Sequence, residues 1–250
     1  MSKINIADIK FGRLIEKNRD YEDTYPFKSL IVDLHPEQKI QPLSVERILR
    51  LPALQSYYNQ GDEGACVGYS ASWQTSYYNN NPLQKYDARW LYKQAQANDN
   101  NPLTDPAKDT GTFVWAAFWV LRHLGHKKLN ETKPDINDGL LSYYWGKTAD
   151  DGRRAISIDR PFVIGINWYE SFMQPEKNGS DYWIGKNQLG KLCGGHAIIV
   201  RGASDVRQSL YLTSTWGWEY PSIWLSYDMF NKLMKEDGEM CVGVDNLKNT

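Results

Sequence analysis

The residue best placed for nucleophilic chemistry is a cysteine that follows a glycine-containing turn. Cys66 ends the sequence QGDEGAC (60–66) and begins a proline-free segment whose apolar and aromatic positions recur at helical spacing. At a helix start, unpaired backbone N–H groups and the positive end of the helix dipole favour a thiolate. The structural alternative is that Cys66 only packs, because free cysteine is among the most buried residue types.

A histidine far along the chain could act with this cysteine. His196 follows two glycines, Gly194 and Gly195, and precedes the apolar run AIIV (197–200). Two glycines let a substrate or another backbone approach closely. An imidazole beside a thiol can hold the thiolate and protonate a leaving amine, so the pair would suit attack on a carbonyl group.

Structural roles are predicted for the two remaining cysteines and for two histidines that are three residues apart. His123 and His126 stand near a predicted helix end without a nearby cysteine or carboxylate pair, so we interpret them as part of a solvated helix C-terminus. Cys193 and Cys241 are expected to pack as small apolar residues. The sequence implies no metal site and no cofactor.

Three helices are predicted in the first half of the chain. The first covers 66–78, and Asp87 can cap a second that carries apolar residues at i, i+3, i+4 and i+7. The third starts after Thr112 and stops at Gly125. Its run FVWAAFWVL (113–121) is apolar on all sides, which predicts burial.

The second half carries strand patterns instead. Short runs rich in β-branched and aromatic residues are PFVIGINWY (161–169), HAIIVRGA (196–203), LYLTSTW (210–216) and SIWLSY (222–227). Their close spacing predicts an antiparallel sheet or half-barrel, and therefore an α+β fold with its site between two lobes. Two polar stretches, 98–109 and 146–153, are predicted to be surface loops.

Composition excludes several classes of protein. The 29 basic and 30 acidic residues give a net charge of −1, which argues against a nucleic-acid partner. The longest apolar run has nine residues, short of the roughly 18 that span a membrane, and the N-terminus lacks the apolar core of a signal peptide. Three cysteines do not form a disulfide framework, so we expect a cytoplasmic, reducing location.

The chain resembles the papain-like cysteine peptidases, in which a histidine and an asparagine follow the nucleophile by about 130 to 150 residues. His196 and Ser214 lie 130 and 148 residues after Cys66. The stations that carry the resemblance are IVDL (31–34), PALQSYYNQGDEGACVG (52–68), YDARWLYKQA (86–95), DTGTFVWAAFWVLRHLG (109–125), PFVIGINWY, GGHAIIVRGAS and the run Ser-Thr-Trp-Gly.

The resemblance implies a bacterial or phage-type member without a pro-segment. Residues 1–30 would form an N-terminal arm, and residues 31–250 a two-lobed papain-like domain. Within that domain, a helical lobe at about 45–126 would precede an antiparallel β half-barrel lobe at about 127–250. The arm is expected to be ordered or to act as a docking tail, because it is shorter than the inhibitory segments of family zymogens.

Site residues follow from the resemblance one by one. Cys66 would be the nucleophile, His196 its base, Gln60 an oxyanion donor together with the Cys66 backbone N–H, and Ser214 the group that orients the histidine. The other cleft and supporting positions would be Gly64, Gly111, Gly195, Trp216, which would cover the histidine, and Trp218, which would line a substrate or partner surface.

Three departures from the family pattern bear on activity. Ser214 replaces an asparagine and has a shorter side chain. The sequence around the nucleophile is Glu-Gly-Ala-Cys-Val instead of Cys-Gly-Ser-Cys-Trp. Asp62 and Glu63 also bring negative charge, which disfavours a thiolate.

Three functions are therefore considered. The first is a peptidase acting on peptide or isopeptide bonds of a peptide or protein substrate. The second is a weakly active or inactive papain-like fold that serves as a component of a phage particle or other assembly; the arm and the aromatic surface would then bind protein partners, with the virion as its location. The third is a hydrolase of cell-wall peptide or amide bonds. No membrane partner is expected.

Overall fold

In the computed structural model of this chain, the structure describes residues 10–14, 25–26, 46–50, 58–79, 86–102 and 104–245. The predicted station at 31–34 lies outside these ranges, as do most of the predicted arm and residues 52–57. The helices are α1 Cys66–Tyr78, α2 Ala88–Asn98, α3 Val114–His123, α4 Ala149–Ser157 and α5 Tyr227–Lys235. The strands are β1 Tyr25–Pro26, β2 Arg47–Ile48, β3 Leu140–Gly146, β4 Phe162–Tyr169, β5 Glu176–Asn178, β6 Asp181–Ile184, β7 Leu192–Ser204, β8 Ser209–Thr213, β9 Ile223–Ser226 and β10 Glu239–Asp245.

The three helices predicted in the first half are confirmed. Helix α1 has the predicted bounds, and the Asp87 side chain caps α2 by accepting a hydrogen bond from the Trp90 backbone N–H at 2.9 Å. Gly68 allows α1 and α2 to approach closely, because a Cβ there would lie 2.6 Å from the Ala88 carbonyl oxygen. Most of α3 is buried, as its all-round apolar pattern predicts.

One continuous sheet carries the second half of the chain, in the order β1-β3-β10-β4-β7-β8-β9-β6-β5, with β2 beside β7. The β1–β3 and β6–β9 pairs are parallel and the other pairs are antiparallel. All four predicted strands are present as β4, β7, β8 and β9, although β8 ends at Thr213. The fold is α+β, as predicted.

Side chains of the central strands point alternately to the two faces of the sheet, so the core has two parts. Val163 and Ile199 point to the face that packs against α1, α2 and α3. Ile164 and Ile198, one residue away on the same strands, point to the opposite face, which α4 and α5 help to cover. The period-2 geometry of a strand thus builds one core on each face of the sheet.

The predicted surface loop at 146–153 is wrong, because α4 begins within it. The Thr148 hydroxyl accepts a hydrogen bond from the Asp151 backbone N–H, and the Asp151 carboxylate accepts one from the Thr148 N–H. This reciprocal capping box starts a helix in a segment whose polar composition suggests a loop. The other predicted loop, 98–109, follows the end of α2 at Asn98 and is irregular over its described residues.

His126 does not lie on a solvated helix end, which corrects the sequence interpretation. It is fully buried beyond the end of α3; its Nε2 lies 2.8 Å from Ser72 Oγ and its ring stacks on Tyr86 at 4.5 Å. Burial lowers the pKa of His126 to about 3. His123, by contrast, is exposed and stacks on Trp119. None of the helices in the described ranges is long and apolar enough to cross a membrane.

The buried His126 predicts a loss of stability in acid. Below the usual histidine pKa of about 6.5, the unfolded chain binds a proton that the folded chain does not, so the free energy of unfolding falls as pH falls. The expected contribution is about 1.4 kcal/mol per pH unit between pH 6 and 4. Urea unfolding should show this slope reduced in His126→Asn. The exposed His123→Asn serves as control, and equal slopes in all three proteins would contradict the assignment.

Candidate active site

Cys66 lies at the junction of helix α1 and strand β7. It is the first residue of α1 and is fully buried, and the Ala197 backbone N–H donates to its Sγ at 3.4 Å. The Ala197 carbonyl in turn accepts a hydrogen bond from Ser70 Oγ at 3.1 Å. Because His196 directly precedes Ala197 on β7, the Cys66 sulfur lies beside the strand that carries His196.

His196 is enclosed by aromatic rings. Trp216 stacks on the imidazole with a centroid distance of 4.2 Å, and Trp168 meets it edge-on at 4.8 Å. Neither ring nitrogen has a hydrogen-bond partner within the described part of the chain. Burial lowers the pKa of His196 to about 3, so the imidazole is neutral at pH 7.

The expected thiolate–imidazolium pair is not present in this state. Burial raises the pKa of Cys66, and this effect outweighs the backbone N–H groups of Ala197, Gly12 and Val67 that favour the thiolate. Both candidate groups are therefore neutral. The helix start predicted from the sequence is correct, but removal from water dominates over the helix dipole.

Gln60 is held by a residue that sequence analysis missed. Its backbone N–H donates to the Thr215 carbonyl at 2.8 Å, and its side-chain oxygen accepts a hydrogen bond from the Thr215 hydroxyl. The side-chain Nε2 donates to the Glu63 carbonyl at 2.6 Å. Since an amide nitrogen carries two hydrogens, one donor of Gln60 is left for a ligand.

Ser214 makes no orienting contact with the histidine. Its hydroxyl is buried and has no hydrogen-bond partner among the described residues, as is also true of the His196 ring. The neighbouring Thr213 bonds to Arg201 and Ser222 instead. Ser214 therefore occupies the sequence position that the resemblance assigns to the orienting group. Among the described residues, however, it does not form the hydrogen bond to His196 that the resemblance implies.

Residues 10–14, here called the strap, cross the site. The Arg13 N–H donates to the Gly195 carbonyl at 3.1 Å. On the helical side, Thr112 N–H donates to the Gly12 carbonyl at 2.7 Å and Leu14 N–H donates to the Thr112 carbonyl at 2.9 Å. The strap thus bridges β7 and the segment before α3.

The predicted cleft glycines line the strap. A Cβ on Gly12 would overlap the carbonyl of Gly64, and one on Gly111, whose φ is +77°, would overlap the carbonyl of Gly12. A Cβ on Gly195 would overlap the Arg13 carbonyl. The absence of side chains at Gly12, Gly111 and Gly195 is therefore what lets a second backbone lie here.

The strap also closes the site from solvent. The Phe11 ring meets His196 edge-on at 6.4 Å and Trp216 at 6.3 Å, and the Gly12 N–H faces the Cys66 sulfur. Trp218, by contrast, is 72% exposed and lies on the surface. Nothing in the sequence of residues 10–14 predicts that this part of the arm contacts the site.

Two acidic groups around the nucleophile turn, Glu63 and Asp109, have basic partners. Glu63 forms an ion pair with Arg89. Asp109, which sequence analysis missed, accepts hydrogen bonds from the Gly64 N–H at 2.8 Å and from Tyr92. Although partial burial opposes ionisation, Lys10 and these hydrogen bonds hold the pKa of Asp109 below its usual value. Asp109 thereby fixes the turn that precedes Cys66.

Solved structures of papain-like cysteine proteases share this architecture. Xylellain, a cysteine protease from Xylella fastidiosa, has a TM-score of 0.68 at 17% identity over 94% of this chain and 96% of its own. ProCathepsin B S9 from Trypanosoma congolense gives 0.69 at 15% identity, over 97% and 89%. Digestive procathepsin L 3 from the larval midgut of Tenebrio molitor gives 0.64 at 14%, over 96% and 77%.

No protein-family model and no curated protein sequence matches the chain. The likeness to the solved structures therefore concerns the fold. It confirms the resemblance drawn from the sequence at that level: this chain has the papain-like α+β fold.

Displacing the strap should expose the thiol. Gly12→Ala places a methyl group against the Gly64 backbone, which cannot yield as a flexible side chain would. Since overpacking typically costs about 1–3 kcal/mol, we expect alkylation of Cys66 by iodoacetamide at pH 8 to rise about tenfold or more. Mass spectrometry of each cysteine measures this. Gly179→Ala is the control for destabilisation away from the strap, since its Cβ meets no atom within 4 Å but its φ of +63° strains the β5–β6 turn; equal rates in the two variants would contradict the role of the strap.

Proposed function

We propose that this protein is a cysteine peptidase that hydrolyses peptide or isopeptide bonds with Cys66, His196 and Gln60. The observation that carries the proposal is the α1–β7 junction, where the buried thiol at a helix start meets the strand that holds the histidine. The papain-like fold supports the same chemistry, because the solved structures that share it are cysteine proteases.

The proposed reaction begins when the strap leaves and water and substrate enter. His196 then takes the proton of Cys66, the thiolate attacks the substrate carbonyl, and the imidazolium protonates the leaving amine. The Cys66 backbone N–H, which has no acceptor within the helix because it lies in the first turn of α1, and the second Nε2 hydrogen of Gln60 would hold the oxyanion. Water, activated by His196, would then release the acyl group from the sulfur.

In this state the strap occupies the site, and two of its carbonyls have partners of their own. The Gly12 carbonyl is committed to the Thr112 N–H, and the Arg13 carbonyl packs against Gly195. Gln60 Nε2 donates to Glu63. The Gly12 and Arg13 carbonyls thus have neighbours other than the oxyanion donors, which supports a restraining role for the strap.

A second candidate is a papain-like fold retained as a binding component of an assembly. Ser214 favours it, because no described residue gives the His196 ring the hydrogen bond that would hold one tautomer. Loss of an orienting group lowers the rate of a triad enzyme strongly without removing all activity. The two candidates differ in the acidity of Cys66 once the strap is displaced.

The pH dependence of alkylation decides between them. In the wild-type chain the raised pKa of Cys66 should keep reaction slow at neutral pH. In Gly12→Ala, a working pair should let Cys66 react well below the ordinary thiol pKa of about 8.5, and adding His196→Ala should remove this low-pH reaction. Cleavage of labelled casein should accompany it and disappear in Cys66→Ala. An accessible Cys66 with ordinary acidity and no cleavage would favour the binding component.

Gln60 is expected to act on turnover. In the Gly12→Ala background, Gln60→Ala should lower kcat about 100- to 1,000-fold with little change in KM, because the oxyanion forms only in the transition state. Thr215→Val should give a smaller loss of kcat by freeing the Gln60 amide. Thr213→Val, whose hydroxyl does not contact Gln60, is the control. A change confined to KM would refute the assignment.

A further inference from the structure

One peptide unit of the turn before Cys66 is hydrogen-bonded on both sides. The Gly64 N–H donates to the Asp109 carboxylate oxygen Oδ1 at 2.8 Å. The carbonyl of the same peptide, which belongs to Glu63, accepts a hydrogen bond from Gln60 Nε2 at 2.6 Å. This peptide is trans, so it is planar and its N–H and C=O point to opposite sides. The bond to Asp109 therefore fixes the direction in which the Glu63 carbonyl faces Gln60.

The Asp109 carboxylate is held by helix α2. Tyr92, which is fully buried on α2, donates its hydroxyl hydrogen to Oδ1 at 3.0 Å. The Tyr92 oxygen in turn accepts hydrogen bonds from Gln96 Nε2 at 2.9 Å and from the Gly111 N–H at 3.1 Å. Lys10 of the strap pairs with the other carboxylate oxygen, Oδ2, at 3.0 Å. The contacts of Oδ1 are therefore made without the strap, and its release leaves them in place.

The Gln60 amide is held at both of its polar atoms. Its nitrogen donates to the Glu63 carbonyl, and its oxygen accepts a hydrogen bond from the Thr215 hydroxyl. Glycine at position 64 allows the carboxylate to reach this turn, because a Cβ there would lie 3.0 Å from Asp109 Oδ1, a closer contact than side-chain carbons normally make. A continuous set of hydrogen bonds thus leads from the Asp109 carboxylate to the side chain proposed to hold the oxyanion.

We propose that Asp109 is a positioning residue for Gln60 and acts through the Glu63–Gly64 peptide. The inference rests on the proposed peptidase function, in which the second Nε2 hydrogen of Gln60 holds the oxyanion. A donor stabilises an oxyanion only from a fixed position, and a displacement of about 1 Å can cost about 100-fold in rate. Asp109 bonds to the backbone of the turn and reaches Gln60 only through it, so its effect on the reaction passes through Gln60.

The first experiment measures cleavage of labelled casein by the full chain with Gly12→Ala, in which the strap is displaced. Asp109→Ala should lower kcat about 10- to 100-fold with little change in KM, because the freed peptide no longer fixes the Gln60 amide. Asp109→Asn keeps an oxygen that accepts from the Gly64 N–H, so its kcat should stay within about threefold of the parent. Asp105→Ala is the matched control, since the Asp105 carboxylate lies in the same loop and accepts from the Ala107 N–H instead. An unchanged kcat in Asp109→Ala would overturn the proposal.

A double-mutant cycle separates positioning from a general structural role. If Asp109 acts through Gln60, adding Asp109→Ala to Gln60→Ala should change kcat by less than about threefold, because the donor is already absent. A further loss of about tenfold or more in the Gln60→Ala background would show that Asp109 acts elsewhere and would refute the proposal. Circular dichroism and thermal melting verify that each variant is folded. Asp109→Ser, whose shorter side chain does not reach Gly64, replaces the alanine variant if that variant does not fold.

The side-chain amide of Gln60 reports on positioning without turnover. In the full chain labelled with 15N-glutamine, the amide resonance that is absent from Gln60→Ala identifies this residue. It should shift, and its hydrogens should exchange faster with water, in Asp109→Ala but not in Asp109→Asn. Both variants lose the ion pair with Lys10, so the difference between them does not come from the strap. This result supports the positioning of Gln60 even if the parent cleaves no casein, in which case only the peptidase function fails. An unmoved resonance refutes the positioning and leaves the peptidase function standing.

Discussion

The packing of helix α1 on strand β7 is the contact on which the rest of the structure depends. Both backbone polar groups of Ala197 bond to side chains of α1, the N–H to Cys66 and the carbonyl to Ser70. Ten of the thirteen residues of α1 are buried, so this helix needs partners on nearly every side. The sheet supplies one side, and α2 and α3 supply others. The position of the thiol is therefore set by the core and not by a surface loop.

Burial at this junction links strap binding to protonation. With the strap in place, the pKa of Cys66 is raised and that of His196 is lowered, so the covered site prefers a neutral thiol and a neutral imidazole. The covered state stabilises the neutral forms of Cys66 and His196. Transfer of the Cys66 proton to His196 therefore destabilises the covered state relative to the open one. Strap release and formation of the thiolate thus favour each other. One conformational step would both open the cleft and activate the nucleophile.

Local sequence patterns account for the elements that hold Cys66 and His196. Helical periodicity and the Asp87 cap are local signals, and strands β4 and β7 carry dense β-branched residues. Helix α4 was missed although its capping box was readable, because polar residues dominate its start. The role of Thr215 was missed because the strand is predicted to extend to Trp216. In the structure β8 ends at Thr213, and the chain then turns so that Thr215 contacts Gln60.

The strap and its contact with Glu239 could not be predicted from local sequence patterns, for a different reason. Arg13 and Glu239 are 226 residues apart, and neither stands in a motif that names the other. His126 was similarly misjudged, because its burial depends on Ser72 and Tyr86 from other helices and loops. Such contacts arise only when the fold closes. The two glycines before His196, Gly194 and Gly195, are a partial signal, since they predict close approach of a backbone or a substrate without showing which backbone it is.

The ion pair between Arg13 and Glu239 forms within one chain, which favours it over the same pair formed with a separate peptide. Arg13 belongs to the chain, so its association with Glu239 is intramolecular and loses little translational freedom, with effective concentrations on the order of millimolar for short connections. A ligand that approaches the site must therefore compete with an occupant that is always near. Two separate sets of contacts hold the strap, the ion pair of Arg13 with Glu239 and the close packing of Gly12. A change at Glu239 weakens the first set, and a change at Gly12 weakens the second. The separation of these two effects follows from their different contacts, Gly12 with the Gly64 and Gly111 backbone and Arg13 with β10.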